Sequence, residues 1–565
     1  MKILGIYPYM HISSAALMID GKIISAAPEE RFNRIKMSTA FPEKSIEWCL
    51  NFAGINWDDL DCIVVPWNPQ INVNTAANRW ISSMRWRGEM LSNVPINIMK
   101  NINETPGSSI EMKWSGKKLF FLNHHECHAA LSFFQSPFKK ADILTIDGHG
   151  EEDTCCIAKG NGNKIEIIKK IKYPHSLGLF YGTFTDFLGF KPDSDEWKVM
   201  ALSSYSKKIN KYDREISKII KYDKNGFELD LSYFDFYTFD RKKNFFNSKF
   251  INLFGKPRLK DHKLQTKHYE IAGAMQRCFE KNTHNLLKIS KNLSGEKNIV
   301  LSGGAAMNCV MNGKLDNFKF YQDSYISNAP DDSGVSAGAT LLAYFTKFKN
   351  SRKINEIKEN FWGPFYDDDE ILRILKNFKL NFKKSNNIYK DAATSLSKGN
   401  IIGWFQGRME FGHRALGNRS ILADPRKIEM KDKVNNAIKF RESFRPFAPA
   451  TLIEHQNSIF IKPDKRNIYF MERAYKIKKT WRKKLKAVCH VDNTGRIQTV
   501  DKNVHKKFHK LISEFYKITN VPVILNTSFN LNGEPIVMTP KDAIRTFFSC
   551  GLDVLYIGNF VVKKQ

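Results

Sequence analysis

The sequence predicts a two-domain protein, α/β followed by α+β, whose first domain is a duplicated α/β fold with a cleft between its halves. Three observations predict it. A strand–turn–strand–turn–strand meander over residues 3–30 recurs at negligible sequence identity over Ile143–Ile171, about 140 residues on. The chain, at 565 residues, is too long for one hydrophobic core, and 42% hydrophobic with 13% aromatic residues suffices for packed domains. The lysine-rich stretch Lys347–Glu359 reads as a linker, dividing the chain into residues 1–355 and 356–565. Two unrelated meanders are the alternative to a duplication.

In the first meander, Ile3–Ile6 and Ala15–Ile19 are apolar runs, Asp20-Gly21 is a tight hairpin turn, and Lys22–Ala27 returns. In the second, Ile143–Ile146 runs into Asp147-Gly148-His149-Gly150. Thr154–Ala158 follows, Gly160–Gly162 is read as the turn, and Ile165–Ile171 returns. Between them, Pro42–Ala53 has helical spacing, residues 67–104 read as an irregular aromatic insertion, and Leu119–Leu122 is a short strand. Residues 206–265 are lysine-rich and weakly patterned, a variable insertion, whereas Tyr269–Ser290 has helical periodicity. Asn298–Leu301 is a strand entering Ser302-Gly303-Gly304, and a helix of small residues spans Val335–Ala343. The second domain opens with a helix over Asp367–Leu375, a strand over Ile401–Phe405, and a helix over Met430–Ile438.

The formal net charge of +30 is compatible with polyanion binding, but the basic runs are scattered and form no stripe with interleaved aromatics. Nine cysteines, an odd count without a Cys-x-x-Cys pair, argue against a disulfide framework or a structural zinc site. The N-terminus reads as a strand rather than a signal peptide, and no apolar run is long enough to span a membrane. A cytoplasmic location is the expectation.

His124-His125-Glu126-Cys127-His128 places His124 and His128 four residues apart. On a helix that spacing puts both imidazoles on one face, able to share a divalent ion. A polar helix end with satisfied histidines is the other reading. Gly303-Gly304 after a strand allows close backbone approach to phosphate or ribose, or simply tight packing. Asp332 is a helix cap or a metal ligand. Arg408, Arg414, Arg419, Lys439, Arg441, Arg445 and Arg496 lie among Gly, Pro and aromatics rather than in helical charge patterns. Together with Ser420, Asn526, Thr527, Ser528 and Asn530 they suit a phosphate-rich small ligand, or a structural network bracing loops.

Several strings together resemble the ATP-dependent O-carbamoyltransferase family of the nodulation-factor and antibiotic-tailoring type. They are His11–Leu17, Pro28–Phe32, His124–Ala130, Asp147-Gly148, Glu196–Leu202, Gly303–Cys309 and Asp332–Gly334. In the second domain they are Gly407–Ser420, Lys439–Pro449, Arg496–Gln498 and Leu525–Pro535. The resemblance implies an N-terminal domain of the actin and sugar-kinase ATPase superfold, similar to the threonylcarbamoyl-tRNA transferase subunit, and a C-terminal YrdC-like domain.

It further implies that the C-terminal domain turns carbamoyl phosphate and ATP into carbamoyladenylate, whose carbamoyl group the N-terminal domain passes to an acceptor hydroxyl. Carried over, His124, His128, Asp147 and Asp332 are ligands of a divalent metal, Fe2+ by expectation. His125 is a neighbouring support or an adenylate contact. His11 is the base for the acceptor's proton. Gly303, Gly304 and Asn308 line the nucleotide. Lys439, Arg441, Arg445, Arg496, Asn526 and Ser528 hold carbamoyl phosphate and ATP, with Arg414, Arg419 and Ser420 nearby and Mg2+ accompanying ATP. The implied acceptor is a small molecule or glycan; no nucleic acid is expected, and an oligomer is possible. Three departures bear on the acceptor side: Ile12 replaces a polar residue, Trp197 a glycine, and Ser203-Ser204 an Ala-Pro pair. The rival readings are a tRNA-modifying enzyme of the threonylcarbamoyl type and a nucleic-acid-binding relative. The carbamoyltransferase strings of the second domain favour carbamoyl phosphate as the donor.

Overall fold

The computed structural model describes residues 1–69, 71, 117–238, 243–439, 441–463 and 466–564. Most of the insertion read at 67–104 lies outside the described residues. The chain divides into two units, Met1–Glu29 with Thr39–Ile357, and Glu30–Ser38 with Lys358–Gln565. Glu30–Ser38, read from the sequence with the first domain, therefore groups with the second. There Arg31 Nη2 donates to Gly412 O at 3.0 Å, Arg34 donates to Ile536 O and Pro535 O at 2.7 and 2.9 Å, and Phe32 packs against Met409, Ala415, Ile536 and Met538.

In the first unit, β1 (Lys2–Tyr7), β2 (Ser14–Ile19), β3 (Lys22–Pro28), β4 (Cys62–Val65) and β5 (Lys118–Phe121) form a sheet in the order β3-β2-β1-β4-β5. Asp20 and Gly21 both have left-handed φ, 48° and 78°, which is what a two-residue turn matching strand twist requires. The second sheet contains β6 (Lys140–Ile146), β7 (Asp153–Asn161) and β8 (Lys164–Lys172). Beyond a separate hairpin of β9 (Ile220–Asp223) and β10 (Gly226–Leu229), it adds β11 (Asn298–Ser302) and β12 (Asp323–Ile326). Its order is β12-β11-β6-β7-β8. Each sheet is thus an antiparallel meander with two parallel strands added beside its first strand. Both sheets share one topology, as a duplication requires.

Two helices lie between these sheets. Val335–Leu342 packs on β1 and β2 and on the helix His124–Gln135, which in turn packs on β6 and β11. The contact is close because the second helix is made of small residues: a Cβ at Gly338 would lie 2.2 Å from Cys127 O. Gly160 corrects one expectation. It lies inside β7, paired with Ile165, and the turn is Gly162-Asn163. Its missing side chain makes room for the Phe133 ring on the back of the histidine helix, which an added Cβ would meet at 2.5 Å.

The stretch 206–265 is more ordered than its composition suggests. It holds the helices Lys211–Ile219 and Ser248–Phe254, and its Phe246, Phe250 and Phe254 interlock with Phe184 and Phe187 of the helix Leu177–Phe187. Aromatics at irregular spacing carry this packing, so neither helical nor strand periodicity announces it.

The second unit is a mixed sheet, β13 (Phe382–Lys384), β14 (Ile402–Phe405), β15 (Arg419–Ala423), β16 (Ala448–Leu452), β20 (Gln498–Val500), β21 (Val523–Ser528), β22 (Val554–Ile557) and β23 (Phe560–Lys563), in the order β13-β23-β22-β14-β15-β21-β16-β20. A small sheet of β17 (Phe460–Ile461), β18 (Ala474–Ile477) and β19 (Thr494–Arg496) accompanies it. Antiparallel register sets Ser420 opposite Ser528, and Leu422 and Ala448 opposite Asn526, so distant sequence strings meet on adjacent strands.

Replacing Gly160 by Ala is expected to destabilise the protein by about 1–3 kcal/mol, the usual cost of overpacking. Phe133→Leu in the same chain should recover part of the loss. Urea unfolding of the single and double variants measures this, and an unperturbed single variant would refute the close approach.

Candidate functional site

The helix His124–Gln135 starts where β5 ends, and a buried carboxylate fixes its first turn. Glu151 Oε1 accepts the His124 N–H at 3.0 Å and the Asn68 N–H at 2.7 Å, a negative group where the helix dipole favours one. With that start, His124 and His128 project on one face, both fully buried, their Nε2 atoms 3.1 Å apart. Asp147, just past β6, brings Oδ2 to 3.3 Å from His124 Nε2 and 3.2 Å from His128 Nε2. Asp332, beyond β12, brings Oδ1 to 3.6 and 3.5 Å from the same atoms. The four donor atoms lie within 4.8 Å of one another.

Three of the four ligands are also held from behind. Asp147 Oδ1 accepts the Gly304 N–H at 2.9 Å, and Asp332 Oδ2 accepts the Tyr7 hydroxyl at 2.8 Å. Each carboxylate therefore anchors one oxygen and presents the other. His124 Nδ1 lies 3.2 Å from the Pro66 carbonyl, which fixes the proton there and leaves the Nε2 lone pair to the cluster. Two imidazole nitrogens and two carboxylate oxygens suit a divalent ion such as Zn2+ or Fe2+. The electrostatics agree. Burial by itself lowers both imidazoles, yet hydrogen bonds to Asp147 and Asp332 outweigh it and raise them, and Asp147 is held well below the usual carboxylate range. The carboxylates thus demand positive charge between them, which a bound divalent ion would supply in place of imidazole protons.

The neighbouring expectations divide. His125 takes the supporting role: Nδ1 lies 2.7 Å from Thr145 Oγ1 and Nε2 2.9 Å from Asp153 O, so both ring nitrogens are engaged, and burial together with His124 pushes it down to about 3. Gly303 has φ 86° and no room for a Cβ, which would lie 2.2 Å from Ile146 O. The glycine pair thus serves to aim the Gly304 amide at Asp147. Asn308 caps the short helix Cys309–Asn312 through Met311 N–H and exchanges hydrogen bonds with Gln276. Asp331, not Asp332, is the capping aspartate, accepting the Ser333 N–H. His11 is exposed on the loop between β1 and β2, next to Ile12, a buried β-branched residue held at φ 63°.

In the second unit, Lys439 ends a π-helical turn, Asn435–Lys439, and its buried ammonium donates to Ser528 O, Asn530 O and Asn530 Oδ1 at 2.6, 2.8 and 2.8 Å. All three acceptors are neutral. Burial first, then the charges of Arg441 and Arg445, and more weakly Lys36, push its amine well down. Arg441 is lowered likewise by burial and by Arg445 and Arg496. The fold therefore gathers Lys439, Arg441, Arg445 and Arg496. Arg445 Nη1 lies 3.3 Å from the Glu442 carboxylate. Lys36 joins them from the segment Glu30–Ser38; a lone lysine in so basic a chain gave no signal.

Arg419 departs from its expected place. Its guanidinium is fully buried over the Phe405 ring and donates to the carbonyls of Gln406, Gly407, Asn418 and Pro364. It ties loops together, because each of its three nitrogens donates to backbone, Nε to Met538 O. Ser420 Oγ accepts the Gly417 N–H, Asn526 Nδ2 donates to Ala415 O and Gln498 Oε1, and Ser528 Oγ donates to Asn530 Oδ1. These three shape the strands beside the cations. Arg414 is half-buried in the loop before β15.

The family description "Carbamoyltransferase N-terminus" matches residues 2–341, and "Carbamoyltransferase C-terminus" matches 393–564. Over 608 aligned residues the chain is 35% identical to an uncharacterized protein of Synechocystis, covering 100% of this chain and 96% of that one. It is 34% identical to the nodulation protein NolNO of Sinorhizobium fredii over 562 residues, 99% of this chain and 79% of NolNO. It is 28% identical to the 3'-hydroxymethylcephem-O-carbamoyltransferase of Amycolatopsis lactamdurans over 263 residues, 46% and 48% of the two chains. No helix among the described residues is long and apolar enough to cross a membrane.

Glu196, in the Glu196–Leu202 string, accepts the Asp193 N–H at 2.7 Å, and burial, reinforced by the Asp193 charge, raises its carboxyl to about 8. A carboxyl raised above its unfolded value contributes stability that is complete below the unfolded pKa and lost as pH rises through the folded one. The midpoint of thermal unfolding should therefore fall between pH 6 and 9, more steeply for the wild type than for Glu196→Gln. Parallel profiles would refute a neutral Glu196.

Proposed function

The chain belongs to the carbamoyltransferase family and is an O-carbamoyltransferase, and we propose that it works in two ATP-dependent half-reactions on a sugar or natural-product hydroxyl. The observation that carries this reading is the gathering of Lys439, Arg441, Arg445 and Arg496, with Lys439 and Arg441 hydrogen-bonded to neutral acceptors, in the unit that holds the C-terminal family match.

In the first half-reaction, water cleaves carbamoyl phosphate to carbamate and phosphate. A carbamate oxygen then attacks the α-phosphorus of ATP, giving carbamoyladenylate and releasing pyrophosphate. Neither step asks the protein for a covalent bond. It must hold two polyanions together and stabilise charge moving onto the leaving phosphates, which is the work of fixed cations. Lys439 suits this because its ammonium is aimed by the carbonyls of Ser528 and Asn530 without being neutralised. Arg441 and Arg445 offer planar forks for phosphoryl oxygens. Mg2+ travelling with ATP screens the remaining phosphate charge.

In the second half-reaction, the acceptor hydroxyl attacks the carbonyl carbon of the adenylate, a C–O bond forms, and AMP leaves with the bonding pair. His11 takes the hydroxyl proton; its exposed place on the β1–β2 loop lets an acceptor reach it. The cluster of His124, His128, Asp147 and Asp332 would hold a divalent ion, Fe2+ in our reading, and that ion would polarise the adenylate through phosphate or ribose oxygens. Tyr7, Gly304 and the Pro66 carbonyl keep Asp332, Asp147 and His124 aimed. Ile12, Trp197 and Ser203-Ser204 lie in the strings attributed to the acceptor side and would set its selectivity.

Pyrophosphate exchange into ATP is expected only when carbamoyl phosphate is present; metal-replete protein that fails to exchange would sink the mechanism. The double variant His124→Ala, His128→Ala should lose bound metal and carbamoyl transfer while keeping at least half of the exchange rate. Equal loss of both half-reactions would make the histidines merely structural. Arg445→Ala should slow exchange by about 10- to 1000-fold, the range for removing one charge-stabilising donor; an unchanged rate would remove Arg445 from the site.

A further inference from the structure

The cations of the second unit are oriented by a residue that no sequence motif singles out. The helix Glu429–Val434 passes into the π turn Asn435–Lys439, a local geometry that recurs at functional sites. Asn435 is 2% exposed. Its Oδ1 accepts the Arg441 Nε–H at 2.9 Å. That bond sets which way round the amide lies and directs Nδ2 to the other side. Among the described residues, Asn435 Nδ2 and Arg441 Nη2 are both buried hydrogen-bond donors without an acceptor. The Arg441 guanidinium is stacked on the Phe447 ring at 4.1 Å, and Arg445 and Arg496 bear on it electrostatically.

A buried guanidinium is usually met by a carboxylate. Here the partner is a carboxamide of the same shape. Aspartate at this position would accept the same Nε–H, but it would cancel the charge and replace a donor by a second anionic oxygen. The neutral partner keeps Arg441 cationic and adds an N–H beside it. A charged donor and a neutral one are both of the kind that binds phosphoryl oxygens.

We propose that Asn435 is a positioning and specificity residue of an oxyanion subsite: it aims Arg441 through a neutral acceptor, and donates its own Nδ2–H to the phosphoryl group of carbamoyl phosphate. The proposal rests on reading this unit as the carbamoyl-phosphate site. It separates the phosphoryl end of the donor substrate from ATP, because the residue acts through one arginine rather than through the whole cluster.

The test is Asn435→Asp in the full chain. Calorimetric titration with carbamoyl phosphate and, separately, with inorganic phosphate should show affinity for both falling at least 10-fold. The KM for ATP in pyrophosphate exchange should change less than 3-fold, and the thermal unfolding midpoint should stay within 2 °C of wild type. The isosteric change leaves packing in place, so a merely structural Asn435 would lower the midpoint or disturb ATP equally, and either result overturns the proposal. So does Asn435→Asp that binds both anions as wild type does. Should that variant not fold, Asn435→Ser, which keeps a small neutral acceptor and removes the amide donor, carries the test. A loss of at least 3-fold for both anions with ATP unaffected supports the proposal, and wild-type binding overturns it. Wild-type protein that binds neither anion would overturn the broader reading of the unit. Wild-type exchange that proceeds normally beside an unaffected Asn435→Asp would overturn only the role of Asn435.

Discussion

Two carboxylates, one buried and one half-buried, each with one oxygen tied to the scaffold and the other turned to a pair of imidazoles, are the constraint on which the first unit depends. Asp147 leaves the end of β6 and Asp332 follows β12, both strands of one half of the duplication. Tyr7, which orients Asp332, ends β1 in the other half. The histidine helix and the small-residue helix Val335–Leu342 lie between the sheets and must approach within the reach of glycine at position 338 for these groups to converge. Anionic oxygens taken out of water each cost several kcal/mol unless paired. A cluster of this kind is stable only when all its members arrive together, so fold and site impose the same geometry.

The second unit solves the opposite problem, concentrating positive charge without cancelling it. Lys439 rests on carbonyl and carboxamide oxygens, Arg441 on a carboxamide and an aromatic face. Arg419 shows the contrast within the same sheet. Each of its nitrogens is engaged by backbone carbonyls, which makes it a brace rather than an anion's partner. The distinction between a binding and a bracing arginine is not one of charge or burial. It lies in whether the hydrogen-bonding directions are already filled.

That distinction explains what could be read from the sequence. Asp20-Gly21 and its flanking apolar runs announce a hairpin because turn chemistry is local, and the spacing of His124 and His128 announces a shared face because helical period is local. The duplication was visible as two meanders although no residues match. Gly160 was misplaced because glycine in a strand making room for Phe133 looks, in one dimension, like glycine in a turn. Arg419 and Lys439 stand in equally suggestive strings, and only the third dimension shows which donors are occupied. Tyr7 and Glu151 act through partners tens to hundreds of residues away, and Asn435 through Arg441 six residues on, a separation that neither helical nor strand period marks.

The two electrostatic designs suggest why activation and transfer would occupy different sites. Carbamoyl phosphate and ATP together bring many negative charges, and a cationic cluster binds such a load in proportion to its charge. Once phosphate and pyrophosphate have left, the remaining adenylate carries a single phosphate charge, and its hold on the same cations weakens. The cluster of two imidazoles and two carboxylates has the reverse preference. Being anionic, it has no affinity for free polyanions and receives a phosphate or ribose oxygen only through a bound divalent ion. In the proposed sequence, the loss of leaving groups therefore shifts the preferred site of the activated carbamoyl group from Lys439 and Arg441 toward His124 and Asp147. The same charge change that makes the carbamate reactive thereby gives it a direction.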